Sequence, residues 1–164
     1  MSALQGTAWI VKYNEAVYVR QVFHTIAGNL PDESENSTSI FADLPDLPAK
    51  PIVIGGMNFG YGSVDESLVK QMQKAGIKAL LAHSLSAPFF RNALNLGLPV
   101  FEIGEAASEI QPNAEIRIEF ETNPVNITVN KSPVDVAEQP EFVTNLIKKA
   151  GIVHYLQSLQ GNED

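Results

Sequence analysis

"PIVIGGMNFGYGSVDESLVKQMQKAG", residues Pro51 to Gly76, decides the fold. Its first six residues are a short apolar run ending in glycines, which reads as a buried strand. Further on, Val64, Leu68, Met72 and Ala75 recur at helical spacing, and Gly76 stands where a helix ends on a left-handed residue. Between strand and helix lie Gly55, Gly56, Gly60 and Gly62, followed by Ser63, Val64, Asp65 and Glu66. Glycine clusters let a backbone approach an anion closely. Here acids, not cations, come next.

Working outward, "IKALLAHS" (77–84) reads as a strand, "SAPFFRNALNLG" (86–97) as a helix capped by Ser86 and closed by Gly97, and "PVFEI" (99–103) as another strand. Strand, helix, strand, helix, strand with short connections predicts parallel neighbours and an α/β fold with a mostly parallel central sheet. "TAWIVKY" (7–13) is a first strand, and "AVYVRQVF" (16–23) a second extended stretch for which a short helix stays open. Residues 28–50 form a long acidic loop with Asp32, Glu33, Glu35, Asp43 and Asp46. "EIRIEFE" (115–121) and "VNITVN" (125–130) alternate at period two and read as a peripheral antiparallel β-hairpin; a helical stretch interrupted at Gly151 follows over 140–160. One domain over 1–164 is the simplest account.

Composition narrows the function. The 164 residues contain no cysteine, so the chain forms no disulfide and offers no thiolate to zinc or to an iron–sulfur cluster. A net charge of −8 argues against nucleic-acid binding, which needs cations to displace counterions from phosphates. No apolar run is long enough to span a membrane and no signal-type core is found, so a cytoplasmic location with no membrane partner is expected. The glycine loop lacks the Lys-Ser/Thr pair of a phosphate-binding loop. Neither His24 nor His154 has a metal-ligand pattern, and no metal site is expected.

Within the loop, Ser63 has two readings. Ser63-Val64-Asp65-Glu66 fits a capping box, in which the serine accepts a backbone N–H and the glutamate reaches back. If the same hydroxyl serves catalysis, its anion needs oriented N–H donors and a helix start to stabilise it, and the preceding glycines can supply such donors. Asp65 reads either as a first-turn acid complementing the helix dipole or as a site residue. Arg91 either reaches a ligand or pairs with Glu102 or Glu105, and His83 sits at a strand's C-terminal end, where ligands bind in open parallel sheets. Met57, Phe59 and Tyr61 are expected to be exposed and to seek a partner surface.

Over 53–63 and 75–102, and more loosely over the whole chain, the sequence resembles the small subunit of 3-isopropylmalate dehydratase, the swivel domain of the aconitase superfamily. The agreement runs through Gly56, Asn58, Phe59, Gly60, Gly62, Ser63 and Glu66, then Ala75, Gly76, Ser84 and Phe89, then Arg91, Asn92, Ala93, Asn95, Gly97, Leu98 and Pro99. The resemblance implies an aconitase-type swivel domain (β/β/α) that docks on a large subunit carrying a [4Fe–4S] cluster, the chain itself holding no cofactor. It implies a small hydroxy acid as substrate, Ser63 as the catalytic residue, and Gly60, Gly62, Val64, Asp65 and Arg91 as substrate-binding. Two departures stand out: the family has serine and arginine where Val64 and Asp65 follow Ser63, and an acidic motif where "KYNEAVYV" (12–19) lies. A catalytically degenerate swivel domain serving as a binding or assembly module is the alternative, and a homo-oligomer through the loop face is expected if no large subunit is present.

Overall fold

Strand side chains alternate between two apolar layers, and that alternation organises the residues described by the computed structural model, 2–11, 46–63 and 65–161. The first elements are β1 (Ala3–Ile10), β2 (Pro51–Gly55), α1 (Ser67–Lys74), β3 (Ala79–Ala82), α2 (Ala87–Asn95) and β4 (Val100–Glu102). They are followed by α3 (Ala106–Glu109), β5 (Glu115–Glu119), β6 (Asn126–Val129), β7 (Ser132–Val134), α4 (Glu141–Lys148) and α5 (Ile152–Gln160).

All of β2 is buried, with Ile52 and Ile54 in one apolar cluster and Val53 in the other. Leu81 and Leu80 of β3, and Phe101 and Val100 of β4, divide in the same way. Successive strand side chains point to opposite faces, so a strand buried throughout needs a layer on each side. The first layer comes from α1 and α2, whose Leu68, Val69, Met72, Phe89 and Ala93 pack with Val53 and Leu80. The second gathers Ile116 and Ile118 of β5, Ile127 of β6, and Leu146 and Ile147 of α4 around Ile52, Ile54 and Phe101.

The strands form one sheet in the order β4-β3-β2-β1-β5-β6-β7. β1 to β4 are mutually parallel, which aligns Trp9, Val53, Leu80 and Val100 in a continuous row across four strands. β5, β6 and β7 continue the sheet antiparallel from the other edge of β1. The expected hairpin is therefore β5–β6, occupying the outer half of the main sheet, and a third short strand, β7, closes it.

Three expectations are corrected or extended. The first helix begins at Ser67, four residues after the serine read as its cap. Ser86 does occupy the N-cap position of α2, but its side chain makes no capping bond. α3 and β7 are additions, and the terminal helical stretch is two helices broken at Ala150 and Gly151, both with positive φ. The stretch at 16–23 and residues 28–45 of the acidic loop lie outside the described residues. Among the described residues no helix is long and apolar enough to cross a membrane.

Candidate functional site

The loop from β2 to α1 is shaped by left-handed residues: Asn58 has φ 50°, Gly60 81° and Gly62 82°. A side chain at position 60 would be doubly excluded, because a Cβ there would lie 2.4 Å from Phe89 Cγ. That vacancy admits Phe89, which meets the fully buried Phe59 edge-on with ring centroids 5.4 Å apart, while the missing side chain of Gly55 leaves room for Phe59. Met57 and Tyr61 are exposed as expected, whereas Phe59 belongs to the core. The loop is tied to the segment after β3: Phe59 N–H donates to Ser84 O at 3.0 Å, Asn58 N–H to Ser84 Oγ at 2.8 Å, and Ser86 N–H to Phe59 O at 2.9 Å.

Ser63 is buried, 3% exposed, at the end of this loop. Its N–H donates to Gly60 O at 2.9 Å, and its hydroxyl donates to the Asp65 carbonyl at 3.3 Å. The capping-box reading is thereby overturned, since Ser63 does not accept a helix N–H and Glu66 pairs forward with Lys70 at 3.0 Å instead of reaching back. Asp65 takes over that task, its Oδ1 accepting the Ser67 N–H at 2.9 Å. Because Gly60 O occupies it, the Ser63 N–H is not open to an incoming oxyanion.

Asn92 of α2 is the residue the sequence reading left out of the site. Its Nδ2 donates to Asp65 O at 2.8 Å, the same carbonyl that receives the Ser63 hydroxyl. A helix 27 residues further along the chain thus holds the turn that presents Ser63. Arg91, its neighbour, is exposed and makes no ion pair with Glu102 or Glu105. Glu102 instead accepts the Leu85 N–H at 2.7 Å, and Glu105 lies 3.1 Å from His83 Nε2. The structure therefore brings Gly60, Gly62, Ser63 and Asp65 together and adds Asn92; Val64 lies outside the described residues.

A second feature opens beside this loop. At the C-terminal ends of β1, β2 and β3, a cleft of about 380 Å³ is lined by apolar side chains with His83, Glu105 and Ser108 among them. Gly55, Gly56 and Met57 line it from the loop's first residues, while Ser63, Asp65 and Arg91 do not. Among the described residues no group of three His, Cys, Asp or Glu side chains could hold a metal ion.

The aconitase C-terminal domain family matches residues 21–106. The chain is 30% identical to the 3-isopropylmalate dehydratase small subunit of Thermodesulfovibrio yellowstonii, covering 98% of each. It is also 30% identical to the 2,3-dimethylmalate dehydratase small subunit of Eubacterium barkeri, over 68% of this chain and 69% of that one. A crystal structure of 3-isopropylmalate dehydratase from Methanocaldococcus jannaschii shares the fold, with a TM-score of 0.70 over 99% of both chains at 19% identity. With a family match over half its length and a full-length relative at this identity, the chain belongs to the aconitase C-terminal domain family, among the small subunits of the 3-isopropylmalate dehydratase type.

Proposed function

We propose that this chain is the small subunit of a hydro-lyase that removes or relocates the hydroxyl of a small 2-hydroxy acid, assembled with a large subunit that carries a [4Fe–4S] cluster. The observation that supports it most directly is the burial, in a glycine-built turn, of Ser63, whose own hydroxyl caps no helix. A buried hydroxyl with no capping task and a turn clamped from another helix is what a positioned reactive group requires. The chain's donor set does not suit the cluster: it has no cysteine, and its described residues offer no three-ligand group. A cluster would therefore be held by the large subunit, where it would supply Lewis-acid binding of the substrate's oxygens.

On this chain, Ser63 Oγ, once it has given up its own proton to solvent and left the Asp65 carbonyl, receives the proton from the substrate carbon next to a carboxylate. Asn92 acts on the reaction through the turn, by holding the Asp65 carbonyl at 2.8 Å. Gly60 and Gly62 supply the left-handed residues of the turn that carries Ser63. Asp65 stands where the family has a cation, and a substrate carboxylate about 4 Å away would be repelled by roughly 4 kcal/mol before desolvation at an effective dielectric near 20. The cation for that carboxylate then comes from Arg91 or from the large subunit.

The second reading, a degenerate binding or assembly module, is favoured by Asp65 itself, whose carboxylate is engaged in starting α1. Co-expression with the large subunit under anaerobic conditions, followed by assays with 2-isopropylmalate and 2,3-dimethylmalate, separates the two. The hydro-lyase reading expects a co-purifying pair that dehydrates at least one of these acids. A stable pair that turns over neither leaves the assembly module.

A further inference from the structure

The cleft at the strand ends has the composition of a small-molecule site, and nothing in the chemistry of Ser63 uses it. Its walls are apolar, with Ile10 from β1, Ile54 from β2 and Ile110 beyond α3, and its volume of about 380 Å³ falls in the range of small-molecule sites. It lies where parallel strands end, the usual ligand position in such sheets. One titratable pair stands in it, His83 Nε2 at 3.1 Å from Glu105 Oε1.

The two partners are unequally held. The His83 side chain is 28% exposed and fixed at the end of β3, whereas the Glu105 side chain is 89% exposed. Nδ1 of His83 is buried without a hydrogen-bond partner, so the nitrogen that carries a proton for exchange with a ligand is Nε2, the one facing a carboxylate. An exposed, screened pair of this kind contributes little and is readily exchanged. Glu105 occupies the place of an external carboxylate, on a donor that opens to an apolar cleft.

We propose that this cleft is a binding site for small monocarboxylates with an aliphatic tail, the ligand carboxylate replacing Glu105 on His83 Nε2 and the tail lying among Ile10, Ile54 and Ile110. The tail supplies what Glu105 lacks, apolar burial, at about a fourfold gain in affinity per methylene. The site is independent of the hydro-lyase reading, because it shares no lining residue with Ser63, Asp65 or Arg91.

The test is methyl and imidazole NMR on the full chain, titrated with propanoate, butanoate, 3-methylbutanoate and 4-methylpentanoate, with 3-methylbutanamide as neutral control. Saturable shifts at Ile10, Ile54, Ile110 and His83 are expected, tightening about fourfold per added carbon until the cleft is filled, with no comparable response to the amide. His83→Gln should abolish the carboxylate preference. Glu105→Ala should tighten carboxylate binding about two- to fivefold by removing the internal competitor, a direction that a merely structural role for Glu105 does not give. Absence of saturable shifts, equal affinity for acid and amide, or weaker binding by Glu105→Ala would each overturn the proposal.

Discussion

Gly60 and Gly62 share almost the same backbone conformation, φ 81° and 82°, yet their surroundings differ completely. A Cβ at 60 meets Phe89 Cγ, Cβ and Cδ2 at 2.4, 2.6 and 2.8 Å, whereas a Cβ at 62 meets nothing within 4 Å. Gly62→Ala therefore isolates the conformational penalty of a left-handed alanine, about 1 kcal/mol after the entropy lost from the unfolded chain is credited. Gly60→Ala carries that same penalty and adds overpacking. Phe89 is fully buried and cannot retreat, so a further 1–3 kcal/mol is expected. The predicted losses are about 1 and about 2–4 kcal/mol, or roughly 2–4 °C against 4–16 °C in Tm for a domain of this size. Urea and thermal melts of both variants provide the measurement. Equal losses would refute the claim that the packing of Phe89, rather than φ alone, requires glycine at 60.

The helix start makes a prediction opposite to that of a capping box: Asp65→Ala should cost about 1 kcal/mol by orphaning the Ser67 N–H, while Ser63→Ala should cost clearly less, as read by urea melts. Asn92→Ala should lower stability by about 1 kcal/mol and speed amide exchange in residues 60–66, because it releases the Asp65 carbonyl. Hydrogen bonds from Arg117 and then Asn126 hold the Glu119 carboxyl below its ordinary value. Its contribution to stability is therefore present above the unfolded carboxylate pKa and is lost as pH falls through the lower folded one. Arg117→Gln should raise the Glu119 titration seen by carboxyl ¹³C NMR and flatten that acid limb.

The elements that sequence periodicity could specify are those with a full turn or a fully buried run. β2, α1, β3, α2 and β4 follow from apolar spacing, with Gly76 and Gly97 as stops that both have positive φ. β7 and α3 escape such a reading, because three residues containing Pro133 and four residues around Ala107 are too short to show a period. The start of α1 misleads for a different reason: Ser63 and Asp65 both satisfy the local pattern of a cap, and the choice between them is made by the turn through Gly60 and Gly62. Phe59, flanked by polar and glycine residues, reads as a loop aromatic until Phe89 supplies its partner from 30 positions away. The clamp of Asn92 on Asp65 and the pairing of His83 with Glu105 span 27 and 22 residues, and no local pattern announces them. Of the candidate site, the residue types around Ser63 were readable, while the contacts that hold the turn required the fold.

The measurement that bears most directly on the central claim is turnover by the anaerobically purified pair of subunits with this chain either wild type or Ser63→Ala. If Ser63 is the group that takes the substrate proton, kcat should fall by a hundredfold or more, while KM, the amount of large subunit recovered and the melting temperature stay close to those of the wild type. A Ser63→Ala pair that assembles normally and retains wild-type kcat would contradict the account.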